Sequence, residues 1–358
     1  MRRCGVKVAV LGFNNIKYSP YIKTYTDLLD KYAIEYDVII PNRNQFNETT
    51  NGNLISIRWD KNKNKLQNFI SYAKETKKIL KSEDYDFVFV LTTLPAILLS
   101  QVLVSKYKRR YLIDIRDYTY DKMPIFKNIE STVLKHAHTR VISSPAFRDF
   151  LPDLEYVLCH NFSHMIVNKD LSFHQHVDPI KIGYVGSIAY VEECKRLIDL
   201  VKKDDRFCFY LYGNEVHGSI VSDYAESAGT ERIKCFGEYE PSEKSQIVIS
   251  VDILFNDYGN ASDLVRCALS NKLYDSFTFK KPLITSPNTI MSKLAGDYSF
   301  DIDIQTKNLD ELYNWYININ GKKMISYMNQ CLVQFTNENL YFEDAVRRII
   351  GGKTKDFR

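Results

Sequence analysis

The sequence predicts an α/β protein made of two Rossmann-like domains in tandem with a cleft between them. Three observations support this fold class. The chain has 358 residues, more than one ordinary domain core needs. Short apolar, β-rich runs alternate with helical periodicity, which is typical of a parallel sheet covered on both faces. The alternation stops between residues 161 and 180 and then starts again, as expected of a linker between two domains.

The first half of the chain predicts an N-terminal domain over residues 1–165. Its strand candidates are residues 6–12, 35–41, 54–59, 86–92, 110–115, 139–143 and 156–160. Helical periodicity appears at 20–32, 65–82, 95–107 and 125–137. Residues 87–105 carry no formal charge. Their polar side chains and Pro95 favour a buried strand followed by a helix over a membrane span.

The second half repeats the pattern after a linker at 166–180 and predicts a C-terminal domain over 181–337. Its strand candidates are 181–188, 207–213, 233–239, 251–257 and 282–286. Its helices are expected at 190–203, 215–228, 241–249 and 264–280. Residues 338–358 are expected to form a last helix that can cross back to the N-terminal domain.

Composition narrows the class of protein and its partners. Hydrophobic residues make up 45% and charged residues 26%, which is typical of a globular protein. The seven cysteines show no C-x-x-C spacing, which predicts reduced thiols, a cytoplasmic location and no zinc site. The basic residues are dispersed and match no nucleic-acid-binding motif, so no nucleic-acid partner is expected.

The net charge of +4 is unevenly distributed along the chain. Residues 1–175 contain 26 Lys and Arg against 18 Asp and Glu, a net charge of +8, so the remainder carries −4. A basic first half favours an acidic partner, such as an anionic membrane surface or a pyrophosphate-linked substrate. The alternative is that these are scattered, solvated surface charges.

Three segments of the second half place polar residues or glycines where ligands bind in open α/β sheets, beyond the strand ends and at helix N-termini. They are "YVGSIAY" with Gly186 and Ser187, "LYGNE" with Gly213, and "SNKLYDSFTFKKPLITS" with Lys272 and Asp275. The last two residues lie one turn apart on one helical face. Lysine can neutralise a diphosphate, and aspartate can accept hydrogen bonds from two ribose hydroxyls. The alternative is a solvated surface pair.

In the first half, the segment "LIDIRD" (112–117) ends a strand with charged residues. Asp117 is the candidate for a catalytic base or an acceptor-binding group, with Arg116 beside it. The alternative is that Asp114 or Asp117 caps the next segment and that Arg116 pairs with it.

These segments resemble the GT-B fold glycosyltransferases, and in particular bacterial members of glycosyltransferase family 4. The similarity rests on the "VGS" start, the glycine turn, and a counterpart of the family's "P-x-K-x-x-E…G-K-P-V-I" segment at 270–286. "VISSPAFRDFL" (141–151) and "CHNFS" (159–163) extend it to the first half. The resemblance implies donor-binding roles for Gly186, Ser187, Arg196, Gly213, Asn271, Lys272 and Asp275. Lys195 is an alternative to Arg196 as the second cation.

The resemblance also implies an activity. A hexosyltransferase-type enzyme would move a sugar from a UDP- or GDP-sugar, without metal or cofactor, to an oligosaccharide or polyprenyl-pyrophosphate-linked acceptor during bacterial capsule, O-antigen or exopolysaccharide synthesis. Lys272, Arg116 and Asp117 would be catalytic, and Gly12 and Asn14 would lie on the acceptor side, in the first domain. The enzyme would be cytoplasmic or peripheral on the inner face of the plasma membrane.

The sequence departs from the family pattern at three positions, one of which is Gly12, where the doubled glycine of many relatives is absent. Family members carry two glutamates separated by seven residues, and here Cys267 and Asp275 stand at those places. Stereochemistry therefore stays open. Two alternatives remain, a nucleotide-sugar epimerase on the same fold and a catalytically inactive subunit that binds or scaffolds.

Overall fold

The computed structural model describes residues 5–116, 124–162, 172–173 and 175–351. The chain divides into two compact units. The first contains the residues up to Asn161 together with those from Asn337 onward, and the second is Phe162–Thr336.

The first unit is built on a seven-stranded parallel sheet with the order β3-β2-β1-β4-β5-β6-β7. Its strands are β1 (Lys7–Leu11), β2 (Glu35–Asn42), β3 (Asn53–Arg58), β4 (Phe87–Leu91), β5 (Tyr111–Ile115), β6 (Thr139–Ile142) and β7 (Val157–Leu158). Its helices are α1 (Tyr21–Lys31), α2 (Lys65–Ser82), α3 (Thr93–Leu98), α4 (Ser100–Ser105) and α5 (Pro124–His136). The strand order reverses direction between β1 and β4, which is where ligands bind in such sheets.

The second unit repeats this plan with six parallel strands in the order β10-β9-β8-β11-β12-β13. The strands are β8 (Ile180–Val185), β9 (Phe207–Tyr212), β10 (Ile233–Gly237), β11 (Ile253–Asn256), β12 (Leu283–Thr285) and β13 (Ser299–Asp301). The helices are α6 (Val191–Val201), α7 (Ile220–Ser227), α8 (Lys244–Ser250), α9 (Asp263–Cys267), α10 (Asn271–Phe279), α11 (Ile290–Ala295) and α12 (Asp310–Ile317). Here the order reverses between β8 and β11.

The last helix, α13 (Gly321–Gly351), contributes to both cores. Its apolar side chains recur every three or four residues, so they form a continuous stripe along one face. The second unit's core contains Met324, Met328, Leu332 and Phe335. The first unit's core contains Phe342, Val346, Ile349 and Ile350.

Several local features differ from the sequence prediction. The last helix, expected from residue 338, already begins at Gly321. The helix expected at 264–280 is two helices, α9 and α10, because Ala268 and Ser270 adopt extended backbone conformations between them. The helix expected at 95–107 breaks at Leu99, between α3 and α4. The short strand β13 was not predicted. Among the described residues, no helix is both long and apolar enough to cross a lipid bilayer.

Candidate functional site

Two glycines close the turns after neighbouring strands of the second unit. Gly186 follows β8 with φ +126°, and Gly213 follows β9 with φ +135°. The Gly186 amide donates to the Tyr212 carbonyl at 2.9 Å. A Cβ on Gly213 would stand 2.0 Å from the Gly186 carbonyl oxygen, so only glycine fits there. The two turns therefore bring backbone close together at the C-terminal edge of the sheet.

Lys272, in the first turn of α10, places its ammonium at this edge. The residue is 5% exposed. Its Nζ lies 3.7 Å from the position that a Cβ on Gly186 would take. The Nζ donates to the Tyr258 hydroxyl at 2.9 Å and lies 4.1 Å from the Tyr184 ring centroid. The ring stabilises the cation.

The described residues give the Lys272 ammonium no carboxylate within ion-pair distance. Buried charges are normally paired, because desolvating an unpaired charge is costly. This lysine is therefore a ready partner for an anionic ligand group.

Asp275 lies one turn further along α10, and its side chain faces the start of α8. It is 8% exposed, and its two carboxylate oxygens each lie 2.8 Å from the Lys244 Nζ at the start of α8. Burial raises the pKa of Asp275, while Lys244 and Lys272 act against that shift. Lys272 and Asp275 are thus buried residues and not the exposed surface pair of the alternative hypothesis.

The sequence leaves Lys195 and Arg196 as alternatives for the second cation. Arg196 is the one that faces the end of β11. Its Nη1 lies 3.0 Å from the carboxylate of Asp257, the residue after β11. Burial raises the pKa of Asp257, and the Ser286 hydroxyl, the Gly259 amide and Arg196 oppose that rise. Lys195 points elsewhere, with its Nζ 3.8 Å from Glu192 and 5.4 Å from the Tyr224 ring centroid.

Buried polar contacts fix the start of α10. The Ser270 hydroxyl donates to the fully buried Asn256 side chain at 2.8 Å, which ties the helix to the end of β11. Asn271, the first residue of α10, is exposed. Ser187 is also exposed, and its carbonyl accepts a hydrogen bond from the Tyr184 hydroxyl at 2.8 Å.

Three residues at this site were missed by the sequence reasoning: Lys244, Asp257 and Tyr258. Tyr258 stacks on Tyr190 with ring centroids 4.0 Å apart. Asp257 and Tyr258 directly follow the buried strand β11, the same signal that identified Gly186 and Gly213. Lys244 carries no comparable signal, because its place beside Asp275 depends on how α8 packs against α10.

In the first unit, Gly12 and Asn14 follow β1. A Cβ on Gly12 would come within 2.9 Å of side-chain methyl groups of both Ile22 and Ile40, so a larger residue would force these side chains to shift. Its carbonyl accepts a hydrogen bond from the Tyr72 hydroxyl at 2.8 Å. The Asn14 side chain accepts from the Asn15 amide at 3.0 Å and lines a cavity.

Arg116 turns inward at the end of β5. Its Nε donates to Asp114 at 2.7 Å and its Nη2 to the Cys159 sulfur at 3.1 Å. The Tyr25 hydroxyl donates to the same Asp114 oxygen at 2.8 Å. The pairing of Arg116 with Asp114, which the alternative hypothesis predicted, is therefore present. Asp117 lies outside the described residues.

The described chain holds no group of three or more His, Cys, Asp or Glu arranged to bind a metal ion.

Solved structures with the same architecture share little sequence with this chain. Sucrose-phosphate synthase from Thermosynechococcus elongatus has a TM-score of 0.70 at 11% identity, covering 97% of this chain and 100% of that one. The E. coli trehalose-6-phosphate synthase bound with UDP-2-fluoro glucose has a TM-score of 0.71 at 9% identity, covering 96% and 98%. The lipopolysaccharide outer core galactosyltransferase WaaB, in its apo form, has 0.64 at 12% identity, covering 95% and 99%.

These similarities show the fold. The two parallel-sheet α/β units have the GT-B fold, and the predicted fold class is confirmed. No protein-family model matches the chain, and no curated protein matches its sequence.

Proposed function

We propose that the protein is a glycosyltransferase that binds a nucleoside-diphosphate sugar in its second unit. The observation that carries this proposal is the buried Lys272 ammonium, which lies beside Gly186 without a carboxylate partner among the described residues. A diphosphate would supply the missing negative charge, and the glycine turns leave room for phosphate oxygens to approach the backbone. The shared fold with a protein bound to UDP-2-fluoro glucose supports the same ligand class.

The other residues at this edge suit the remaining parts of the donor. Asp275 would accept hydrogen bonds from the ribose hydroxyls, and Lys244 would hold its carboxylate charged. Gly186, Ser187 and Gly213 would contact the phosphates through the backbone, and Asn271 would present the start of α10 to them. Arg196, held by Asp257, would be the second cation.

The chemistry of transfer fits this charge distribution. The leaving group is a nucleoside diphosphate, so the transition state gains negative charge on the phosphates, and a fixed cation stabilises it. Lys272 would supply this stabilisation without a metal ion. Arg116 and Asp117 remain the proposed catalytic residues of the first unit, with Asp117 as the base if the reaction inverts the anomeric centre.

We further propose a hexosyltransferase-type enzyme, similar to glycosyltransferase family 4, that acts on an oligosaccharide or a polyprenyl-pyrophosphate-linked glycan in bacterial surface polysaccharide synthesis. The support is the net charge of +8 over residues 1–175 and the structural similarity to a lipopolysaccharide galactosyltransferase. Such an acceptor would favour a cytoplasmic enzyme that is peripheral on the inner face of the plasma membrane.

Calorimetric titration with UDP and GDP tests the donor site. Replacing Lys272 by methionine removes a charge-assisted contact worth about 1.5–3 kcal/mol, so affinity should fall by roughly tenfold to a hundredfold. Lys195→Met is the matched control. Lys195 lies on α6 with its Nζ near Glu192 and Tyr224, so this variant should bind UDP and GDP as the wild type does. Equal affinity of the Lys272→Met variant and the wild type would refute the donor site.

A further inference from the structure

Helix α2 presents basic and apolar residues together on its solvent side. Its inner side is buried through a stripe of residues spaced four apart, Asn68, Tyr72, Thr76 and Leu80. Residues on the opposite side of the helix recur at the same three- and four-residue spacing. We call this opposite stripe the outer face of α2, and it consists of Leu66, Ile70, Lys74, Lys77, Lys78 and Lys81.

Two large apolar side chains stand in solvent at the start of the outer face. Leu66 is 66% exposed and Ile70 is 59% exposed. They are four residues apart, so they are neighbours on the helix surface. Single exposed apolar residues are common on proteins, and they indicate a contact surface only when they form part of a larger feature.

That larger feature is a block of positive charge. Residues 61–82 contain seven lysines and one acidic residue, Glu75, which gives a net charge of +6. This segment therefore carries most of the +8 of residues 1–175. Within the described part of the chain, the outer-face lysines have no carboxylate in ion-pair distance, and Lys77 donates to the Gln101 side chain at 3.1 Å.

Helix stability does not explain this charge. Lys74 and Lys78 are a like-charged pair one turn apart, as are Lys77 and Lys81, and such pairs destabilise a helix. The lysines of residues 61–65 stand near the positive end of the helix dipole, which also opposes them. Lys81, in the last turn, is the one that suits the dipole. An anionic surface lying against the helix would offset the repulsion.

The residue types favour a lipid surface over a protein or a nucleic acid. All seven basic residues are lysine, and none is arginine. Protein interfaces are enriched in arginine and depleted in lysine, and arginine is preferred for two-pronged recognition of phosphate. Lysine presents a point charge on a long apolar stem, which suits the diffuse negative charge of a bilayer. Exposed leucine and isoleucine are stabilised at the boundary between headgroups and acyl chains, which a nucleic acid does not provide.

We propose that the outer face of α2 docks the protein on the surface of an anionic lipid bilayer. The lysines contact negatively charged headgroups, and Leu66 and Ile70 enter the boundary below them. The contact is peripheral, because the inner side of α2 stays packed in the first unit. The inference rests on the proposed function, in which the acceptor is linked to a membrane lipid, and it adds the surface that meets the membrane.

Sedimentation with sucrose-loaded vesicles tests the proposal on the full-length protein. Vesicles of phosphatidylcholine in which one third of the lipid is phosphatidylglycerol should bind it at least roughly tenfold more tightly than vesicles of phosphatidylcholine alone. Added salt should release the protein, because the attraction decays within a Debye length of about 8 Å at physiological ionic strength.

Variants of the outer face separate the two contributions. Replacing three lysines together, Lys74→Gln, Lys78→Gln and Lys81→Gln, should weaken binding to the anionic vesicles by roughly a hundredfold, since each contributes about fivefold. Leu66→Ser and Ile70→Ser should each weaken it by roughly threefold to tenfold. The loss in the two serine variants should be similar at low and moderate salt, because salt does not screen the burial of apolar surface.

A second triple variant is the matched control. Lys202→Gln, Lys203→Gln and Lys322→Gln remove the same charge from exposed positions of the second unit, so this variant should bind the vesicles nearly as the wild type does. All of the replaced outer-face residues are exposed as well. Every variant should therefore fold and keep the UDP affinity of the wild type.

The inference is overturned if anionic and neutral vesicles bind equally, or if the two triple variants lose the same affinity. Binding of a DNA duplex that depends on α2, with no binding of vesicles, would overturn it in favour of a nucleic-acid partner. UDP titration separates these failures from a failure of the proposed function. Lys272-dependent UDP binding without vesicle binding would leave the donor site standing. Vesicle binding through α2 without UDP binding would support the docking surface and refute the donor site.

Discussion

At the residue scale, the proposed donor site of the second unit depends on the close approach of Gly213 and Gly186. Gly213→Ala would force a Cβ against the Gly186 carbonyl, so backbone must move. We expect it to lower the free energy of unfolding and to weaken UDP binding. Gly218→Ala is the matched control, because Gly218 also has positive φ, +79°, but has open space around it. That control should cost only about 1–2 kcal/mol for the unfavourable backbone conformation.

Urea denaturation and UDP titration of the two alanine variants measure this difference. An equal loss of stability in both variants, with UDP affinity unchanged in Gly213→Ala, would contradict this prediction. It would show that the close approach of the two turns contributes neither to stability nor to UDP binding.

The residues that the sequence identified are those with a local signal. Gly186 and Gly213 end apolar strands, and Lys272 begins a helix, so each position can be read from the order of residues alone. Lys244 could not be found this way, because it meets Asp275 across 31 residues of chain. The Arg116–Asp114 pair is also predictable as an alternative to a catalytic role, since two opposite charges at a strand end can satisfy each other.

At the element scale, α10 ends in an unusual way. Lys280 follows its last residue in the left-handed conformation, with φ 56°, where glycine is common. The side chain is buried, with its Nζ donating to the Phe277 carbonyl at 2.6 Å. Burial lowers the pKa of Lys280 from 10.5 to about 8. The charged form therefore destabilises the folded state at neutral pH.

This cap predicts a pH dependence of stability. Below about pH 8, Lys280 is protonated in both the folded and the unfolded state, so the folded state carries the full cost of burying the charge. Between about pH 8 and 10.5 the folded state loses the proton while the unfolded state keeps it, so stability rises with pH. The rise is at most about 3 kcal/mol.

Lys280→Met should lack this contribution. The unfolding free energy of the wild type should therefore increase relative to that of the variant across this pH range, as followed by urea denaturation. Lys203→Met, at an exposed position, should track the wild type at every pH. A difference between wild type and Lys280→Met that does not change with pH would contradict the prediction.

Long apolar runs made the elements predictable, and short or interrupted ones did not. β4 was expected because residues 86–92 contain an unbroken apolar run, and all five residues of the strand are buried. β13 has only three residues, of which none is fully buried, so its pattern resembles a loop. The break between α9 and α10 falls at Ser270, a residue type that favours helix starts, and this signal was available in the sequence.

At the scale of the whole molecule, the end of α13 should be essential to the first unit. Phe342 is 1% exposed and packs edge to face on Tyr25, with centroids 5.3 Å apart. Phe342→Ala should cost about 3–5 kcal/mol, because it leaves a cavity in the first core. The neighbouring Tyr341 is 62% exposed, so Tyr341→Ala should have little effect.

Single-tryptophan variants allow each unit to be followed separately during urea unfolding. Trp59 reports on the first unit and Trp315 on the second. Phe342→Ala should lower the midpoint seen by Trp59, whereas a shift seen only by Trp315 would contradict the assignment of this part of α13 to the first core.

The two-unit organisation was predictable from the interrupted alternation of strands and helices. The sequence also predicted a helix near the C-terminus, but only the packing of Phe342, Val346 and their neighbours shows which core they complete. Hydrophobic periodicity identifies an apolar face and does not identify its partner.

The division of α13 between two cores affects how the chain folds as it is synthesised. Residues 1–161 leave the ribosome before the second unit, yet the α13 side chains that complete their core are translated after it. The second unit, by contrast, has its core residues from α13 once Phe335 has been translated, and it can fold earlier. Nascent domains generally fold from the N-terminus onward. Here the first unit must wait until Phe342–Ile350 have been made, and the apolar surface that those residues will cover is the one that a molecular chaperone would be expected to shield.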